Sequence, residues 1–337
     1  MILKTADDLS ADWLTETLGE AVSTYSVAPV GTGQMGDSFR VTTDSGRTAI
    51  LKVAAADETS RATGLALRIF EVEVCFYLHL AERLRVPVPQ CFFGDVEVDT
   101  GWFTLLLQDM APAVQGDQLT GCTLEQAELA LTELAHLHSS GWEDPEIAAL
   151  PWLNRTTPES TAFTAAMIQG LFPGFLERYD SDLTDRQKQI CTALMDRLPD
   201  YLADRSGPMT VVHGDYRLDN LLFDEGTVSV VDWQTATWGP PMVDTSYFVA
   251  CALADPLVRK DNEERLVRTY HSVLDQPGYS WDDCWRDYRR LSFGTLVMAI
   301  ASSMLVERTQ RGDRMFLCSV ERACAQIADL DALELLP

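Results

Sequence analysis

Apolar and polar residues alternate through the first third of the chain, and helical periodicity takes over in the remainder. Residues 25–30 and 38–43 carry the period-two pattern of half-buried strands, and 48–54, 90–96 and 102–107 read as further strands, with Pro87-Val-Pro89 punctuating the run before the fourth. Ahead of them Ser10 to Gly19 predicts a short helix: Ser10 caps it, Trp13, Leu14 and Leu18 share one face, and Gly19 stops it. A second helix is expected over 66–77. Farther on, Thr123 caps a long amphipathic helix over 123–139, with Leu124, Ala127, Leu131, Leu134 and Leu137 as its apolar stripe. Residues 151–201 predict a helical insert broken at Pro158 and Pro173, and more helices follow from 263 to 336.

The chemistry concentrates in Val211-Val212-His213-Gly214-Asp215-Tyr216-Arg217-Leu218-Asp219-Asn220-Leu221-Leu222-Phe223. An apolar pair leads into a polar loop, a second apolar run follows, and a strand over 228–231 delivers Asp232 at its end. Asp215 and Asn220 have the D-x-x-x-x-N spacing of a kinase catalytic loop, with a further Asp after a strand. Phosphoryl transfer needs such a set: a carboxylate to orient the attacking hydroxyl, and oxygen ligands to hold Mg2+ on the phosphates. The bland alternative is a polar turn between two buried strands.

Two upstream features fit the same chemistry. Gly31, Gly33 and Gly36 form G-x-G-x-x-G, but a strand follows instead of the helix that a dinucleotide fold demands. A strand–turn–strand lid over phosphates suits that context, and a ligand-free glycine-rich hairpin is the alternative. Lys52 lies inside an apolar strand and needs an acidic partner unless it is exposed. Glu73 is the first choice; Glu71, two residues away on the same helix, faces elsewhere.

His-Gly-Asp at 213–215 and Asp-Trp-Gln at 232–234 resemble the aminoglycoside phosphotransferase superfamily, and the Asp-Trp-Gln form is most similar to its choline/ecdysteroid-kinase-like branch. The resemblance runs from about Val30 to Leu253. It implies an α+β, two-lobed protein-kinase-like fold: an antiparallel five-stranded N-lobe over 1–109 and a mainly helical C-lobe over 110–337. It implies ATP and Mg2+ as cofactors and a small-molecule hydroxyl acceptor. Asp215 would orient or deprotonate the hydroxyl, Asn220 and Asp232 would hold Mg2+, and Lys52, held by Glu73, would contact the α- and β-phosphates. Gly31, Gly33 and Gly36 would cover the phosphates, and backbone groups of Gln108 and Met110 would bind the adenine edge at a hinge near Gln108–Pro112. Arg217 stands where protein kinases place a lysine that reaches the γ-phosphate; its alternative is a surface arginine paired with Asp219. His138 is expected as structural support, and Asp244 as a helix N-cap, a brace for the catalytic loop, or both.

Only eleven residues separate Asp232 from Asp244, and no Ala-Pro-Glu motif follows, which disfavours a protein kinase. A pseudokinase scaffold would have lost Asp215, Asn220, Asp232 or Lys52, and all four are present. At 337 residues, 46% of them hydrophobic, the chain can bury two cores. Its apolar runs are too short for a membrane span, and its acidic N-terminus lacks a signal-peptide layout, so a cytoplasmic protein is expected. A net charge of −25 argues against nucleic acid and is compatible with a cationic acceptor, or simply with a solvated acidic surface. Eight scattered cysteines without C-x-x-C pairs fit reduced thiols better than disulfides or zinc.

Overall fold

The computed structural model describes residues 1–31, 36–153 and 156–337. The chain folds into two compact units. The first comprises Met1–Val114 together with Ser229–Ala236, and the second Gln115–Val228 together with Thr237–Pro337.

The first unit opens with α1 (Ala11–Leu18), where the Ser10 hydroxyl accepts from the Trp13 N–H and Gly19 closes the helix at φ 67°. Five antiparallel strands follow: β1 (Tyr25–Pro29), β2 (Gly36–Thr43), β3 (Thr48–Ala54), β4 (Cys91–Glu97) and β5 (Trp102–Gln108), in the spatial order β1-β2-β3-β5-β4. Alternation along β3 sends Ala49, Leu51 and Val53 to one face, where they bury against Trp13, Leu14 and Leu18 of α1. Lys52 therefore points to the opposite face. Between β3 and β4 the expected single helix is two, α2 (Glu58–Ala66) and α3 (Ile69–His79), because Arg68 takes a left-handed turn at φ 56°. Gly64 makes the bend compact: a Cβ there would collide with the Phe70 ring.

The second unit is mainly helical. Its helices are α4 (Leu124–Ser140), α5 (Pro145–Ala148), α6 (Pro158–Tyr179), α7 (Asp185–Ala203), α8 (Met242–Ala252), α9 (Pro256–Leu274), α10 (Trp281–Leu291), α11 (Gly294–Leu305) and α12 (Gln310–Asp329). Thr123 and Gln126 form a reciprocal capping box on α4. The expected break at Pro173 does not occur; the proline lies inside α6. Interior proline costs about 3 kcal/mol, and burial of Phe172, Phe175 and Tyr179 from the same helix outweighs it. No described helix is long and apolar enough to cross a membrane.

Candidate active site

In the first unit, Lys52 Nζ donates to Glu73 Oε1 at 2.5 Å and lies 3.7 Å from Asp232 Oδ1. Glu71 is engaged elsewhere, paired with Arg68. Burial works against the Lys52 charge, but the carboxylates of Glu73 and Asp232 overcome it and hold the ammonium above its ordinary range. Asp232 reaches this position through its neighbour. Trp233 is fully buried and stacks on Phe76 of α3, with ring centroids 3.7 Å apart and planes 6° from parallel, and its indole N–H donates to Val230 O. That stack fixes Ser229–Ala236 to α3, one turn beyond Glu73. Asp232 itself sits at φ 65°, an uncommon conformation for a non-glycine residue and a frequent mark of functional sites.

Gly36 opens β2 opposite Ala54, and a Cβ there would come 3.1 Å from Val53 O, so the strand starts tightly against β3. Gly31 adopts φ 75°. Gly33 lies outside the described residues. At the end of β5, the Gln108 N–H already donates to Gln90 O, and Met110 O accepts from the Ala113 N–H around a cis Ala111–Pro112 bond. The Gln108 N–H is thereby committed, whereas the Met110 carbonyl keeps a second acceptor site. Asp109 pairs with Arg40 at 2.6 Å.

In the second unit, a short strand, β6 (Thr210–Val212), pairs with Thr237–Gly239 and feeds the loop that carries Asp215. Asp244 organises that loop. It is fully buried on the first turn of α8, where its two carboxylate oxygens accept from the backbone N–H groups of His213 (2.6 Å) and Gly214 (2.9 Å). The helix cap is Pro241, so Asp244 is a brace and not an N-cap. Gly214 makes the bend possible at φ 80°. His138 supports the brace from α4: Nε2 lies 3.4 Å from Asp244 Oδ2 and Nδ1 2.7 Å from the Tyr270 hydroxyl. Burial pulls the His138 pKa below its ordinary value, against the opposing pull of Asp244. Tyr216, also fully buried, ties the loop to Ala130 O on α4 at 2.7 Å.

Within the loop, Asp215 Oδ2 accepts from Arg217 Nε and Asn220 Nδ2, both at 3.0 Å, and Asn220 Nδ2 also donates to Asp215 O at 2.8 Å. The amide nitrogen of Asn220 is thus turned inward. Arg217 donates as well to Asp219 Oδ2 at 2.7 Å and contacts Met315 Sδ at 3.4 Å. Despite its burial, the neighbouring Asp215 charge keeps the guanidinium firmly protonated. Arg311 on α12 reaches Asp117 at 3.3 Å and Asp219 at 3.7 Å.

Sequence reasoning passed over Tyr247, whose hydroxyl donates to Asp215 Oδ1 at 3.0 Å. The signal was its spacing: three residues beyond Asp244 on one helix, it shares that residue's face. The structure thus brings Lys52, Glu73 and Asp232 together in one unit, and Asp215, Arg217 and Asn220 together in the other.

The sequence model of the phosphotransferase enzyme family matches residues 26–279. Among solved structures, the gentamicin complex of APH(2")-IIa superposes with a TM-score of 0.56 at 12% identity, covering 97% of this chain and 99% of that one. Macrolide 2'-phosphotransferase type I superposes with a TM-score of 0.52 at 18% identity over 90% and 93%. At such identities these likenesses speak to the fold, and they bear out the two-lobed, kinase-like α+β class. Acyl-CoA dehydrogenase family member 11 of Mus musculus is 36% identical over 62 residues, 18% of this chain, and the chain spans only 7% of that protein's length.

Proposed function

Because the chain belongs to the phosphotransferase enzyme family, we propose that it moves the γ-phosphoryl group of ATP to a hydroxyl of a small molecule, in a Mg2+-dependent reaction. The carrying observation is the held state of Asp215, a carboxylate gripped on both oxygens inside a loop braced by Asp244. A carboxylate so fixed orients the acceptor hydroxyl and takes its proton as the new O–P bond forms and the bond to the β-phosphate bridging oxygen breaks. Lys52, kept charged and aimed by Glu73, contacts the α- and β-phosphates. Arg217 stabilises charge on the transferred group. With its amide nitrogen committed to Asp215, Asn220 has its side-chain oxygen to offer a cation. That oxygen and the Asp232 carboxylate are hard donors of the kind Mg2+ takes. The ion, when bound, neutralises phosphate charge.

The short stretch between Asp232 and Asp244 supports a compact acceptor over a peptide. An acidic chain of net charge −25 is compatible with a cationic one. In Asp215→Asn, turnover is lost while ATP affinity stays within a few-fold, since the carboxylate acts on the acceptor and not on the nucleotide. Retention of most of the rate with a confirmed acceptor would sink the assignment.

A further inference from the structure

We infer that Tyr247 is a positioning residue for the candidate base: its hydroxyl sets the rotation of the Asp215 carboxylate and selects Oδ1 as the oxygen that receives the acceptor's proton. The inference rests on the phosphotransferase function proposed above.

Asp244 and Tyr247 stand three apart on α8 and so project from one face of that helix. Asp244 holds the backbone of the loop at His213 and Gly214, and Tyr247 holds the side chain of Asp215 at 3.0 Å. One rigid helix face thereby fixes both the loop and the carboxylate it presents. Tyr247 is buried, and its burial, together with the charge of Asp215, pushes phenol ionisation well above the ordinary range. The hydroxyl therefore keeps its proton and acts as a donor.

The two carboxylate oxygens are not equivalent. Among the described residues, Oδ2 takes two donors, from Arg217 and Asn220, and Oδ1 takes one, from Tyr247. An ionised carboxylate oxygen has about two acceptor sites, so Oδ2 is filled and Oδ1 retains one for an incoming hydroxyl. The terminal torsion of an aspartate is broad and two-fold. A second point of attachment, on Oδ1, is what distinguishes the two oxygens.

Tyr247→Phe removes this donor and leaves the ring. Steady-state kinetics with Mg·ATP would use two acceptors: water, as basal ATP hydrolysis, and the best compound from a panel of aminoglycosides, macrolides, amino alcohols and sugars. The variant should lose roughly ten-fold in kcat, the scale of one hydrogen bond to a charged group. Both KM values should stay within about two-fold, the pattern of an interaction realised in the transition state. A purely structural tyrosine would lower the melting temperature and leave kcat of the folded fraction unchanged, which overturns the inference. A second readout needs neither turnover nor the variant: the Tyr247 hydroxyl proton should give a slowly exchanging downfield resonance that moves upfield in Asp215→Asn. A resonance indifferent to Asp215 also overturns the inference. Failure of the broader assignment looks different, because the unmodified protein would then consume no ATP with any acceptor, and the positioning role of Tyr247 would fall with it.

Discussion

Glu73 on α3 accepts from Lys52 on β3 at 2.5 Å, while Glu71, two residues earlier, is taken by Arg68. The two acids therefore predict opposite outcomes. Glu73→Gln leaves a largely buried lysine without its closest counter-charge, and should cost roughly 2–4 kcal/mol of stability, discounted for the lysine's partial exposure. It should also weaken Mg·ATP binding by about ten-fold, because the ammonium is no longer aimed. Glu71→Gln breaks only a pair with a half-exposed arginine and should leave both quantities nearly unchanged. Urea unfolding and titration calorimetry would separate them.

The stack of Trp233 on Phe76 holds the Asp232 segment in the first unit. Trp233→Ala opens a cavity at a fully buried site and should destabilise by about 3–5 kcal/mol. Trp233→Phe should recover most of that loss in the same denaturant titration.

His138 gives stability a pH dependence of known sign. Its folded-state pKa lies below the unfolded value of about 6.5, so at lower pH the unfolded chain binds a proton that the native chain refuses. Stability is intact above that pH and falls as pH drops below it, by up to about 1.4 kcal/mol per unit from this group. His138→Gln should flatten this part of the profile. Chemical denaturation of both proteins between neutral and mildly acidic pH checks it; identical slopes would mean the imidazole is not buried in its neutral form.

Asp232→Ala and Asp215→Asn should fail in different steps. The first removes a hard oxygen donor and a charge 3.7 Å from Lys52, and should weaken Mg·ATP binding itself. The second should bind Mg·ATP normally. Calorimetric titrations with and without Mg2+ distinguish the two.

Much of the fold was legible because its causes are local. Strands β1 and β2 follow from period-two alternation, β3 to β5 from short strand-forming runs bounded by turn residues, and α1 and α4 from Ser10 and Thr123 at their caps. The division between α2 and α3 was not legible, since it depends on a left-handed Arg68 and on Gly64 yielding to Phe70, a contact between helices. Pro173 misled for a related reason: packing of Phe172 and Phe175 carries the helix through it. At the site, residue spacing marked Asp215, Asn220 and Asp232. The family resemblance offered Asp244 as a brace, but not the two backbone amides it holds, nor that the inward amide of Asn220 and the hydroxyl of Tyr247 grip opposite oxygens of Asp215. The contacts of Asp244 and Tyr247 exist only once α8 is packed against the loop.

The central claim is small-molecule phosphoryl transfer, and ADP release tests it most directly. The chain would be incubated with Mg·ATP and, separately, aminoglycosides, macrolides, amino alcohols, sugars, sterol-like alcohols and a mixture of Ser/Thr-containing proteins. The account predicts acceptor-dependent ADP release with at least one small hydroxylated compound, a phosphorylated product of matching mass, and loss of both in Asp215→Asn. Robust phosphorylation of protein on Ser or Thr, with no turnover of any small molecule, would contradict it.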